Sequence, residues 1–280
     1  MTPQPEEKKM LIVGELINAS RKEVARAIES SDAGLIKRLA LEQVEAGARY
    51  IDVNAGIFVE REAQYLRWLV EQVQDAVDVP CCLDSPDPRA VEAALAVHRG
   101  VAMINSISLE KARREFLLPL LAGGDLKVVA LCMSDEGMPE TAADRVAIAG
   151  RLIDLLVQNR VSLDNIYVDP LVQPVSVDTT YGREILQAIR EIMARYPGVH
   201  SICGLSNISY GLPARKLLNR TFAVLAVAAG LDSVIVNPLD EQMMAGIISA
   251  ETLTGRDSYC SGYLKAYRGR RFDFAKTPPG

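Results

Sequence analysis

Seven apolar runs in this chain end in a carboxylate or a carboxamide: GELIN at Asn18, IDVN at Asn54, CCLD at Asp84, AMIN at Asn105, IYVD at Asp169, CGLSN at Asn207 and SVIVN at Asn237. Glu15 and Asp52 sit inside the first two runs. A buried strand holds such a group only where something pairs with it. The same chemistry at the same end of successive runs points to a shared ligand. A carboxylate accepts two adjacent N–H bonds, and a carboxamide both donates and accepts. A heterocycle rich in N–H donors and carbonyl acceptors matches that set, such as the edge of a 2-amino-4-oxo pyrimidine.

Each of these residues also has a plainer reading. Asp84, Asn105, Asp169 and Asn207 could close a network among themselves. Asp52 could bond loop amides or cap the next helix, and Glu15 and Asn18 could order the first loop. Asn237 and Asp240 read more naturally as turn and helix-cap residues, and Arg215 could pair with a nearby acid.

Other chemistries are weighed by what the run ends lack. A Schiff-base enzyme needs a lysine there. An enolase-type enzyme needs a lysine or histidine base beside its metal-binding acids. Neither is present, and the turns GLSNISYGLP and VNPLDEQ give only weak support for a phosphate site. The histidines are His98, near a helix end, and His200, at the start of a strand, so no histidine-based metal site or general base is expected at the polar ends. The 5 cysteines show no C-x-x-C spacing, and Cys81, Cys82, Cys132 and Cys203 fall inside apolar runs, where a reduced core role is expected.

The elements that must position the polar ends alternate regularly. Strands are predicted near 10–18, 50–56, 80–85, 102–107, 127–133, 166–172, 200–207 and 233–238. Helical spacing of apolar residues marks 33–48, 62–76, 88–97, 110–121, 141–158, 182–195, 214–229 and 241–253. Eight βα units with short connections predict an α/β fold, a (β/α)8 TIM barrel. A doubly wound sheet would usually carry a Gly-rich first turn, and GELINASRKE lacks it. In such a barrel the C-terminal strand ends form the active site, so the acids and amides converge on one mouth. The domain reading is an N-terminal arm over 1–9, the barrel over 10–268 and a C-terminal tail over 269–280. The basic stretch 256–280, with Arg256, Lys265, Arg268, Arg270, Arg271 and Lys276, reads as a solvated end, with a partner contact as the less favoured alternative.

A chain of 280 residues that is 49% hydrophobic can bury one large core. Lys+Arg 31 against Asp+Glu 36, a net charge of -5, argues against a nucleic-acid binder. No run of about 18 apolar residues predicts a membrane span, and MTPQPEEKK lacks a signal-peptide core, so a cytoplasmic location is expected.

LIVGELIN, YIDVNAG, CLDS, AMINS, YVDPLV, GLSNISYG and LLNRTF, in that order, resemble the pterin-binding methyltransferases. The resemblance is strongest to the 5-methyltetrahydrofolate:corrinoid/iron–sulfur protein methyltransferase family, with the folate domain of cobalamin-dependent methionine synthase as a relative, and covers about residues 10–268. It implies a homodimeric TIM barrel that binds methyltetrahydrofolate or tetrahydrofolate in its mouth. It implies methyl transfer between folate N5 and the cobalt of a cobalamin (corrinoid) carried by a separate protein, of which a corrinoid/iron–sulfur protein is one form. By motif, Asp84, Asn105 and Asp169 hold the pterin edge, Asn207 reaches N5, and Arg215 matches the family's arginine beyond that strand. Asp52 and Asn54 lie on the second strand of the pattern. The expected catalytic set is Asn207 as donor to N5, with a proton delivered through water and the Asp84/Asp169 network. Pro86 stands where the relatives carry Thr, and Tyr210 where they carry a polar amide. A dihydropteroate synthase-like enzyme is the runner-up, set back by the missing strand-end lysine and basic Ser-x-Arg element. A non-catalytic folate-binding scaffold is the other alternative.

Overall fold

The computed structural model describes residues 9–274. Most of the expected N-terminal arm, and the end of the tail with Lys276, lie outside the described residues. The strands are β1 (Leu11–Asn18), β2 (Tyr50–Asn54), β3 (Cys81–Asp84), β4 (Met103–Ile107), β5 (Lys127–Leu131), β6 (Ile166–Asp169), β7 (His200–Gly204) and β8 (Ser233–Val236). All pair in parallel with their neighbours and close in sequence order, β8 onto β1. The fold is the (β/α)8 barrel that the alternation predicts.

The helices are α1 (Lys22–Glu29), α2 (Ala33–Glu45), α3 (Glu62–Ala76), α4 (Pro88–Leu95), α5 (Lys111–Leu121), α6 (Ala142–Gln158), α7 (Tyr181–Arg195), α8 (Arg215–Ala229), α9 (Glu241–Leu253) and α10 (Ser261–Arg268). Their starts follow local capping chemistry. Asp32 accepts from the amides of Gly34 and Leu35, Asp87 caps α4 ahead of Pro88, and Thr141 and Asp144 form a capping box on α6. Asp240 caps α9 through the Met243 amide and pairs with Arg220 at 2.8 Å, so it is a structural residue.

Two apolar cores follow from strand alternation. Outward residues such as Ile12, Ile51, Leu83, Ile104 and Val168 pack against the helices. Inward residues Val13, Tyr50, Cys82, Met103, Val129, Tyr167 and Ile202 fill the barrel. Cys81, Cys82, Cys132 and Cys203 are buried free thiols. Lys127 donates to the Tyr167 hydroxyl at 3.0 Å, and His200 stacks on Tyr167 while bonding Asp232 and Asp164. That histidine therefore braces the N-terminal end of the barrel.

The structure departs from the expected elements in four places. α1 is a short amphipathic helix that buries only Val24, Ala27 and Ile28, too brief a pattern to stand out in sequence. β6 stops at Asp169, because Leu171 turns back with φ 62°. β7 stops at Gly204 and passes into a 3-10 turn, Leu205–Ser209, so Asn207 is a turn residue and not a strand end. The basic stretch is solvated as expected at Lys265, Arg268, Arg270 and Arg271, but Arg256 is half-buried. Arg256 donates to the carbonyls of Leu231 and Val227, and Arg271 donates to those of Glu45 and Ala46. These contacts fasten both ends of the segment that carries α10, the part-buried ones of Arg256 by giving donors to the Leu231 and Val227 carbonyls.

Candidate functional site

The second, upper layer of inward positions is polar. Along β2 the inward side chains run Tyr50, Asp52, Asn54; along β3, Cys82, Asp84; along β4, Met103, Asn105; along β6, Tyr167, Asp169. Period-two alternation carries each from the apolar layer below to the mouth above. Parallel register sets Asn54 beside Asp84, and Asp84 beside Asn105. Three polar residues therefore form one row across three adjacent strands. All three are partly buried, open on one side, whereas Asp52 beneath them is 3% exposed.

Side chains join this row. The Asn54 amide donates to Asp84 at 2.9 Å, and its oxygen accepts from the Gly56 amide at 3.0 Å. The Asn105 amide donates to Asp52 at 3.3 Å, and the Cys82 thiol also bonds that carboxyl. The peptide between Asn105 and Ser106 is cis. With its nitrogen turned to Asp52, Asn105 keeps its oxygen for another donor. Asp84 likewise keeps one oxygen. Burial, then the nearby Asp84 charge, pushes Asp52 well above the usual carboxylate range. Burial raises Asp84 as well, opposed by the Asn54 bond and the Arg113 charge.

Asp169 stands on the other side of the barrel and is held differently. Its Oδ1 accepts from the Leu171 amide at 2.8 Å, and the Gly204 amide also bonds the carboxylate. Burial outweighs these donors and pushes Asp169 up to about 7.

The remaining predicted residues divide. Asn207 is exposed on the turn after β7, and Tyr210 is 64% exposed beyond it. Arg215 opens α8, donates to Ser209 Oγ at 3.1 Å and to the Ser206 carbonyl at 2.7 Å, and lies 5.8 Å from the Tyr210 ring centre. These contacts brace the loop that carries Asn207. Among the described residues no hydrogen bond ties Asn207, Tyr210 or Arg215 to the β2–β4 row or to Asp169. Asn18 and Asn237 accept from amides two residues on, in Asx turns. Burial raises Glu15, and the Asn237 amide and Arg21 oppose the shift.

Several supporting residues escape sequence reasoning. Glu62, at the start of α3, accepts from the Ser85 hydroxyl next to Asp84. Arg113, in the first turn of α5, donates to the Ser106 carbonyl at 2.9 Å. Buried Gln43 accepts from the Leu16 amide at 2.9 Å, where the β1 register shifts. Gly14 lets it approach, since a Cβ there would lie 2.5 Å from Gln43 Oε1. None of these has a local sequence signal, because each partner is distant in the chain or appears only when a strand bends.

The Pterin binding enzyme family model matches residues 14–237. A methylcorrinoid:tetrahydrofolate methyltransferase of Eubacterium limosum is 37% identical over 265 residues, covering 92% of this chain and 96% of that protein. The methionine synthase of Mycobacterium tuberculosis is 31% identical over 248 residues, but this chain spans only 21% of its length. Among solved structures, a dihydropteroate synthase of Xanthomonas albilineans with 4-aminobenzoic acid superposes with a TM-score of 0.68 at 18% identity, covering 90% of this chain and 94% of that one. A Yersinia pestis dihydropteroate synthase gives 0.67 at 16% identity. At such identity the structural matches show the shared barrel alone.

Proposed function

The chain belongs to the pterin binding enzymes, and from that premise we propose that it is a methyltransferase moving a methyl group between N5 of tetrahydrofolate and the cobalt of a corrinoid carried by a separate protein. The observation that carries this reading is the row Asn54, Asp84 and Asn105 in strand register, with Asp169 on the opposite side of the barrel. Among the described residues Asp84 and Asn105 each keep an acceptor oxygen uncommitted at the mouth, and a reduced pterin offers an amino group and ring N–H groups to fill them. The relative at 37% identity over nearly both whole chains, named for methylcorrinoid and tetrahydrofolate, supports the same pair of substrates.

The corrinoid supplies a cobalt centre that takes or gives the methyl group. This chain has three tasks: to bind the pterin, to aim N5 outward, and to manage a proton at N5. Asp84, Asn105 and Asp169 take the pterin edge, while Asp52 and Asn54 hold two of those side chains in orientation. When the methyl leaves N5, the C–N electron pair stays on nitrogen, and N5 gains a proton; the reverse transfer releases it. Asn207 donates to N5 more strongly as that pair develops, which is where a hydrogen bond accelerates reaction. The proton travels through water linked to Asp84 and Asp169, and a carboxyl titrating at about 7 can hold or release it at neutral pH.

The corrinoid protein meets the barrel mouth, so self-association must use another face. The groove between α7 and α8, about 720 Å³, is lined by Leu186, Ile208, Leu218, Phe222 and Leu225 and rimmed by Arg183, Arg190 and Glu191. An apolar floor with a rim of both charge signs can complement its own copy across a two-fold axis. A homodimer through this groove is part of the proposal, and Leu225→Glu is expected to yield monomers by sedimentation. No helix of the described residues is long and apolar enough to cross a membrane, and the setting proposed is the cytoplasm.

The test mixes the protein with methyltetrahydrofolate and free cob(I)alamin and follows the visible spectrum. Loss of the cob(I)alamin bands as a methylated corrinoid appears is expected, and methylcobalamin with tetrahydrofolate should show the reverse. Tight folate binding with no spectral change in either direction would leave only a binding scaffold.

A further inference from the structure

Arg145 lies in the first turn of α6 and is 0% exposed. Both circumstances are unfavourable for a cation: it is removed from water, and it sits at the positive end of a helix. Among the described residues no carboxylate bonds its guanidinium, and every oxygen it donates to is neutral. Nε donates to the Pro170 carbonyl at 2.9 Å, Nη1 to the Glu140 and Thr141 carbonyls at 2.8 and 3.0 Å, and Nη2 to Gln173 Oε1. The Tyr181 ring lies 5.8 Å away.

Two of these partners flank an unfavourable backbone. Leu171 has φ 62°, in the left-handed region that costs a non-glycine residue its Cβ clearance. Pro170, whose carbonyl Arg145 holds, precedes it, and Gln173 follows it. The Pro170 carbonyl and the Leu171 amide belong to one planar peptide unit, so the bond from Arg145 to that carbonyl helps fix the direction of the amide, which donates to Asp169 Oδ1 at 2.8 Å.

We propose that Arg145 is a positioning residue for substrate binding: it clamps the Pro170–Gln173 loop so that Leu171 stays left-handed and its amide orients Asp169 toward the pterin. This rests on the reading that Asp169 holds the pterin edge. The groups facing Asp169 are the Cys132 thiol beyond β5, the Cys203 thiol of β7, the Leu171 and Gly204 amides and the Arg145 charge; Glu184 of α7 and Asp144 of α6 face Arg145. The two thiols are themselves held neutral by burial. An amide donor favours the ionised carboxylate, so loss of the clamp raises the Asp169 midpoint.

The experiment combines an NMR titration of the Asp169 carboxyl, assigned by its absence in Asp169→Asn, with tetrahydrofolate affinity against pH. Arg145→Lys is expected to move the carboxyl midpoint upward and to weaken affinity at pH 7 by about tenfold, the scale of one left-handed residue. Adding Leu171→Gly to Arg145→Lys should restore both, since glycine occupies that conformation unaided. Should the lysine variant fail to fold, Leu171→Val, which leaves Arg145 in place, must raise the midpoint in the same way. An unmoved midpoint in both single variants, or no rescue by glycine, overturns the proposal. If the midpoint moves as expected while Asp169→Asn binds folate normally, the clamp stands and the pterin-edge reading of Asp169 fails.

Discussion

The two sides of the barrel mouth are built by different means. On the β2–β4 side the polar groups are joined by side chains: Asn54 to Asp84, and Asn105 to Asp52. On the β6–β7 side the backbone provides the partners. Amides of Leu171 and Gly204 hold Asp169, and Asn207 rides on a turn braced by Arg215. A side-chain lattice fixes donor and acceptor directions one substitution at a time. A backbone cage depends on loop conformation, so it responds to residues that never approach the ligand. The first arrangement suits recognition of a rigid heterocycle edge. The second suits groups whose protonation or position changes during reaction.

Removing the charge from the backbone-held side should have the largest effect. Asp169→Asn is expected to weaken tetrahydrofolate binding by about a hundredfold, the scale of lost charge-assisted hydrogen bonds, measured by calorimetry. The same variant should gain stability without ligand. Asp169 titrates at about 7 in the fold against 3.8 as a free side chain, so the native state binds its proton more tightly. The stability this confers is complete below about pH 4 and lost as pH rises through 7. At pH 8 the asparagine variant should therefore resist urea better by about 1–3 kcal/mol, allowing for solvent at a partly exposed group. Equal stability at pH 8 would mean that the carboxyl is not strained by burial.

Next comes Asn207→Ala, expected to lower kcat by roughly ten- to a thousand-fold while the KM for folate moves little, as for one lost transition-state donor. A full kcat at saturating folate and corrinoid would remove Asn207 from the chemistry. On the lattice side, Asn54→Ala should weaken binding by about fivefold and raise the Asp84 midpoint, because Asn54 is the largest influence holding that carboxyl down. A pH profile of affinity that is unchanged from wild type would break the contrast between lattice and cage. The smallest effect is expected for Arg215→Ala. Its guanidinium braces Ser206 and Ser209 without touching Asp169 or the β2–β4 row, so a fall in kcat of about threefold, the worth of a modest net hydrogen bond, is anticipated in stopped-flow traces with binding intact.

The polar strand ends at Asp84 and Asn105 were readable in sequence because strand alternation is local: two residues above an apolar inward position is again inward. Asn54 and Asp52 were readable as members of the same strand, but their partners were not, because register between strands is a long-range property. Asn207 was misplaced by three residues on the strand scale. CGLSN is apolar enough to continue a strand, and only the packed turn shows β7 ending at Gly204. Arg145 was invisible. In TAADRVAIAG it reads as one polar residue of an amphipathic helix, and its burial follows from where the loop after β6 folds. One residue of the basic stretch misled for a related reason. Arg256 looks like a solvated charge until the part-buried carbonyls it meets are known.

By itself, then, the sequence determined the barrel and the end of it at which the polar strand residues gather. Those follow from periodicity, which neighbouring residues enforce without help from distant ones. Tertiary structure alone decided which polar groups share a hydrogen bond, which carboxyl is pressed toward neutrality, and which buried cation holds a loop in place. Such outcomes depend on desolvation and on contacts between residues far apart in the chain, and neither exists until the barrel closes.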